Sequence, residues 1–304
     1  MLATRLATGL TLVVVLLAIL ILDEWLAPWF PLWFAASLVV LGLCAVELSG
    51  LLGATGARPS ANTVLGGTMA LVVANWAPHV ARQLSLDPAR PIPATYDPSA
   101  SVDVMAWPLW TFVAILMAAF LSQSLQFRRP GQTMATIAGT ILAVAYVGLL
   151  GSFMIQMRWF DGPYHGLIPL AALVATAKGS DIGAYTMGRI AGRNKLWPRL
   201  SPNKTIEGAI GGLFFGVFGS LLVSAVAKFT LHAPCLDWPE AVGFGLVIAP
   251  AAQLGDLMES MIKRDCAVKD ASSSVPGFGG VLDVLDSLLF AAPVAYGFWV
   301  LFGP

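Results

Sequence analysis

The chain has 304 residues, 57% of them hydrophobic and 11% charged, with 17 basic and 17 acidic side chains leaving no net charge. Soluble domains carry about a quarter charged residues, so this composition belongs to an integral membrane protein and excludes an ordinary soluble enzyme. The neutral balance gives no basic field, which argues against nucleic acid as a partner. Cys44, Cys235 and Cys266 are too scattered for a disulfide framework or a metal spacing.

The first apolar run follows Arg5 and ends at Asp23-Glu24 without a small-x-small cleavage site. It reads as a retained first span and not as a cleaved signal. Roughly 20 apolar residues cross the hydrocarbon layer, which predicts spans near 6–22, 30–54, 63–81, 104–125, 133–154, 165–178, 208–229, 241–262 and 281–302. The third is polar for a span, and the sixth is short enough to be bent, broken or buried among its neighbours. The Pro-rich segment 82–103 lacks periodicity and reads as an external loop. Tryptophans cluster near span ends, as an interfacial belt does. In the seventh span Gly208, Gly212, Gly216, Ser220 and Ser224 recur in steps of four, a stripe that admits a close neighbour helix. That neighbour is either internal or a second copy, so the stripe permits a homodimer.

Charge sets the expected orientation. With the N-terminus inside, Arg5, Arg58, Arg128, Arg129, the six basic residues from Lys178 to Lys204, Lys263, Arg264 and Lys269 face the cytoplasm. Arg82, Arg90, Arg158 and Lys228 remain outside, and this positive-inside bias supports nine spans. The predicted architecture is all-α and polytopic, with about nine transmembrane helices and two catalytic cytoplasmic loops. Residues 1–155 read as a scaffold of lipid-facing helices and 156–304 as the catalytic region.

The first of those loops, 178–208, sets Lys178 and Asp181 at the end of a span, where each is costly unless paired or liganded. Glycines 179, 183, 188 and 192 allow close backbone approach to a ligand. Arg189, Arg193, Lys195, Arg199 and Lys204 supply positive charge. The turn Ser201-Pro202-Asn203-Lys204-Thr205 leads into a helix whose free N–H groups suit an anion, and Glu207 is a cap or polar anchor. Contact with anionic lipid headgroups explains the basic residues equally well. It does not explain the embedded Asp181 and Glu207.

The second loop is sharper. Asp256, Ser260, Lys263 and Arg264 share a helical face. Lys269, Asp270 and a Ser/Pro/Gly-rich run with Gly277-Phe278-Gly279-Gly280 follow, and then Asp283 and Asp286, three apart on the next helix. Asp256, Asp283 and Asp286 at one membrane level repel one another unless a cation lies between them. Oxygen donors of this kind favour Mg²⁺ or Mn²⁺ and a phosphate-bearing substrate. Pairing with Lys263, Arg264 and Lys269 is the purely structural alternative. Glu259 and Asp265, on other faces, read as rim charges.

Together these loops resemble the phosphatidate cytidylyltransferases, or CDP-diacylglycerol synthases. The family pattern S-x-x-K-R-x4-K-D is matched by Ser260, Lys263, Arg264, Lys269 and Asp270. Its continuation, P-x-H-G-G-x-x-D-R-x-D, is matched by Pro276, Gly279, Gly280, Asp283 and Asp286. Upstream, D-x-x-A-Y-x-x-G is matched by Asp181, Ala184, Tyr185 and Gly188, and S-P-x-K-T-x-E-G by residues 201–208. The likeness covers roughly residues 175–290. Phe278 stands where the family usually has His, and Val284 where it has Arg. Phenylalanine cannot titrate, and valine cannot hold phosphate.

The resemblance implies transfer of CMP from CTP to phosphatidate at the cytoplasmic face of the inner membrane, among membrane lipids. It assigns Asp256 and Asp283 to the metal, with Asp286 as a further ligand, and Lys263, Arg264 and Lys269 to clamping phosphates. Ser260, Asp270, Asp181, Ser201, Asn203, Lys204, Thr205 and Glu207 fall to substrate binding. A CTP-dependent polyprenol or phytol kinase matches less of the motif. A transporter would show inverted repeats and charges along a pathway, and neither is present.

Overall fold

The computed structural model describes residues 2–84, 98–127, 130–160, 164 and 166–304. The chain is an all-α polytopic membrane protein. Among the described residues eight helices are long and apolar enough to cross a bilayer. The predicted first span coincides with a further helix, α1 (Leu2–Glu24). Lipid offers no partner for backbone polar groups, so apolar segments of this length close their hydrogen bonds within themselves as helices. The centre of the predicted 82–103 loop, with Arg90, and the basic pair Arg128 and Arg129 lie outside the described residues, as does the side chain of Arg82.

Two compact units divide the chain. The first holds residues 1–156 and 265–284. It contains α1, α2 (Pro31–Gly53), α3 (Ala61–Leu84), α4 (Pro98–Gln126), α5 (Thr133–Ala143) and α6 (Leu150–Gln156), with a π-helical turn, Val144–Leu149, joining the last two. The polarity of α3 is answered internally. Asn75 donates to Ser152 Oγ (2.9 Å), and Gln156 donates to the Asn75 carbonyl and side-chain oxygens (2.9 and 3.0 Å). Asp23 is buried and accepts the amides of Leu32 and Trp33, both at 2.9 Å, satisfying the first turn of α2.

The second unit holds residues 157–264 and 285–304. In it lie α7 (Leu167–Ala191), a short antiparallel hairpin β1 (Lys195–Trp197) and β2 (Ser201–Thr205), α8 (Ile206–Val226), α9 (Trp238–Asp265) and most of α10 (Leu282–Phe302). The sixth predicted span is partly buried among its neighbours, as one of its expected forms, and longer than predicted. It is neither bent nor broken but one helix of 25 residues that runs on to Ala191. Its glycines serve packing: a Cβ on Gly183 would fall 2.5 Å from Cβ of Phe215, and one on Gly179 would fall 2.9 Å from the Phe215 carbonyl oxygen. The first predicted loop therefore shrinks to the hairpin and its approaches.

The stripe on α8 is an internal contact. Added Cβ atoms would fall 2.8 Å from the Ala184 carbonyl oxygen at Gly208, 2.5 Å from Gln253 Nε2 at Gly212 and 2.6 Å from Ala249 Cβ at Gly216. Ser220 donates to the Ala241 carbonyl at 2.7 Å. Small residues let α7, α8 and α9 approach to backbone contact, the means by which helices associate where lipid removes the hydrophobic drive.

Candidate active site

The motif from Asp181 to Gly188 lies on α7, where steps of three and four place Asp181, Ala184, Tyr185 and Gly188 on one face. That face lines a cavity of about 510 Å³. Ser201, Asn203, Lys204 and Thr205 of β2 line it from the hairpin, and Gln253, Asp256 and Leu257 from α9. Two residues hold the hairpin in place. Thr205 caps α8 by accepting the Gly208 amide at 3.1 Å. Glu207 accepts the amides of Arg193 (3.0 Å) and Asn194 (3.2 Å) and the Asn194 side chain (2.8 Å). Glu207 is thus engaged with the chain's own backbone. Gln253, which the sequence did not single out, donates to Ser180 Oγ (3.0 Å) and the Ala209 carbonyl (3.1 Å), joining three helices behind the cavity.

At the cavity wall Lys204 pairs with Asp256 at 2.7 Å. Asp256, Glu259 and Asp286 each offer one oxygen, all within 4.8 Å of one another. Glu259 is no rim charge: it is 0% exposed and pairs with Lys263. The reason is the crossing of α9 and α10 at Gly255, where a Cβ would fall 2.6 Å from the Asp286 carbonyl oxygen. Ala252, Gly255, Glu259 and Ile262 form the face pressed inward there. Asp286 is 6% exposed. Nearby in the same unit Lys178 donates to Asp181 (3.1 Å) and to Ser287 Oγ (2.9 Å). Four carboxylates therefore stand against Lys178, Lys204 and Lys263. The donor set is all oxygen, partly buried and in excess of its lysines, which fits a hard divalent cation. Ser260 is half-buried one turn beyond Asp256, and Arg264 is exposed at the end of α9, where the helix dipole favours a cation.

Lys269, Asp270 and Asp283 belong to the first unit. The two former are exposed. Asp283 Oδ2 accepts the amides of Ala271 (2.9 Å) and Gly280 (2.7 Å), folding the loop back on the start of α10. Gly277 and Gly279 hold φ of 85° and 110°, a region open to glycine. Phe278 is 38% exposed, and its ring lies against α1, where a Cβ on Gly9 would meet it at 3.5 Å. Glu47 of α2 also bonds this loop. An acid within an apolar span is the signal that would have found it.

A family model described as the cytidylyltransferase family matches residues 3–302. A phosphatidate cytidylyltransferase of Synechocystis sp. is 37% identical over 213 residues, 62% of this chain and 71% of the relative. Proteins of the same name from Staphylococcus aureus and Bacillus subtilis are 39% and 36% identical over 51% and 53% of this chain. The matched segment spans only 55% and 57% of those two relatives.

Proposed function

Because this chain belongs to the cytidylyltransferase family, we propose that it transfers CMP from CTP to phosphatidate, releasing pyrophosphate and forming CDP-diacylglycerol for phospholipid synthesis. The observation that carries this reading is the cavity of about 510 Å³, where Asp181, Lys204 and Asp256 meet from three elements. A phosphatidate oxygen attacks the α-phosphorus of CTP, and the bond from that phosphorus to the bridging oxygen of the β-phosphate breaks. The nucleophile is already ionised at neutral pH, so the step needs charge neutralisation and alignment more than a base.

Lys204, within the cavity wall, contacts triphosphate oxygens, with Ser201, Asn203 and Thr205 as hydrogen-bonding partners and Asp181 holding Lys178 in place. Lys263 and Arg264 stabilise the anionic groups from α9, and Ser260 hydrogen-bonds a phosphate oxygen. The resemblance gives Lys269, Asp270 and Asp283 a part in the same reaction, Asp283 through its charge as well as through the loop it folds. Asp256, Glu259 and Asp286 would hold Mg²⁺ or Mn²⁺, which when bound offsets phosphate charge. The site faces the cytoplasm from the cytoplasmic membrane, where CTP is available. Since α7 and α9 cover the glycine face of α8, a homodimer would use other surfaces.

The test is turnover of purified protein in phosphatidate micelles with labelled CTP, with Mg²⁺ or with chelator. Cytidine in the lipid phase, equal pyrophosphate release and loss of both on chelation are the expected results. Free CDP with a polyprenol acceptor and no cytidyl lipid would replace this reading with a kinase. Phe278→His is expected to leave turnover within about threefold, because the ring has a packing place beside α1 and the reaction asks for no base. A gain of more than about tenfold in the same assay would give that position a chemical role.

A further inference from the structure

Glu47 sits near the C-terminal end of α2, a helix with no other charged residue. A carboxylate in such a segment is expensive and persists where something answers it. Here one loop supplies all the donors. Oε1 accepts from Ser272 Oγ (2.7 Å), Ser274 Oγ (2.9 Å) and the Val281 amide (3.1 Å). Oε2 accepts from the Leu282 amide (2.8 Å). Ser272 Oγ and Ser274 Oγ lie 2.7 Å apart, so either hydroxyl can turn its one proton to the other in place of Glu47. The Val281 and Leu282 amides stand at the entry to α10, which has no intrahelical partners for them and whose dipole favours an anion.

Backbone shape fits the same contact. A Cβ on Gly280 would fall 2.5 Å from Glu47 Oε2, so the chain lies flush on the carboxylate only because residue 280 is glycine. On its other side the Gly280 amide donates to Asp283 at 2.7 Å. Two carboxylates therefore flank one glycine: Asp283 accepts its amide, and Glu47, from a helix more than 200 residues earlier in the chain, accepts the two amides that follow it.

We propose that Glu47 is a positioning residue for the cytidylyl transfer: it fixes loop 272–282 and the start of α10, and so the placement of Asp283 and of the adjoining Lys269 and Asp270. The proposal rests on the synthase reading. Glu47 acts through the loop and touches no substrate. Its effect therefore falls on kcat more than on KM, since a displacement of about 1 Å in a reacting group costs on the order of 10²-fold in rate.

Glu47→Gln is close to isosteric, but its amide presents a donor to donors in either orientation. In purified full-length protein, hydrogen–deuterium exchange across 272–282 is expected to rise about tenfold or more, while the rest of α2 keeps its protection. The kcat is expected to fall about 10²-fold, with KM for CTP within about threefold. The double change Ser272→Ala/Ser274→Ala leaves the carboxylate with its two amides, and a smaller fall of about tenfold is expected. Unchanged exchange, or faster exchange with kcat kept within about twofold, would overturn the positioning role. If Glu47→Gln is poorly folded, the serine variant decides on the same two readouts. A wild-type chain without cytidyl-lipid product would instead sink the synthase reading, an outcome distinct from an active wild type matched by its variants.

Discussion

Asp256→Asn lowers cytidylyl transfer by about 10³-fold, with the protein remaining folded in detergent, if the cavity and the carboxylate cluster act as one site. Asp256 is the residue the two share. It lines the cavity, pairs with Lys204 at 2.7 Å and contributes one of three clustered oxygens. The substitution keeps the shape and removes the charge. Its side chain is 36% exposed, so the buried face of α9 is undisturbed and stability should move little. Lys204 then loses its anion, and the cluster loses a third of its charge. A separate readout follows from the donor set: Mn²⁺ binding followed by electron paramagnetic resonance should weaken in parallel with turnover. Turnover within about tenfold of the wild type would remove Asp256 from the chemistry and leave it a surface partner of Lys204.

The second large effect is at Asp283, where two substitutions separate shape from charge. Both backbone bonds, from Ala271 and Gly280, go to the same oxygen, Oδ2. An asparagine can turn its carbonyl to that position and keep both. Asp283→Asn is therefore expected to hold the loop, seen as unchanged amide exchange over 271–283, while turnover falls by about 10²-fold or more through lost charge. Asp283→Ala removes the acceptor as well, leaving two amides unanswered at a cost of about 1–3 kcal/mol each where they are buried. Both exchange and turnover should then change. If Asp283→Asn retains full turnover, Asp283 is a loop-forming residue alone.

Much of the architecture was readable because spans in lipid leave long apolar runs: the nine predicted ones overlie helices, and the second to the ninth are among the described helices long and apolar enough to cross a bilayer. The sixth runs past its predicted end for a physical reason. Lys178, Asp181 and four glycines read as a place where a membrane helix must stop, yet Lys178 and Asp181 satisfy each other and Gly183 faces Phe215. Charge and glycine content in one segment cannot reveal partners that another segment supplies. Glu259 was misjudged similarly: a helical wheel gives angles and not which angle faces inward, and that was set by Gly255 meeting α10. The motif residues of α7 and β2 and the candidate Asp256 of α9 line one cavity, whereas Ser260, Lys263 and Arg264 are not part of its lining. Glu47 was not legible, since its significance lies in donors far along the chain.

A helix that turns its glycines inward must carry its bulk outward. Phe214, Phe218 and Leu222 of α8 are 69%, 63% and 51% exposed, while Gly212, Gly216 and Gly219 are buried. The seam is cohesive through backbone proximity, and the outer side chains point away from it. Rewriting those outer positions in polar residues would leave every contact of the seam untouched, so α8 is where a water-soluble redesign of this membrane protein should begin.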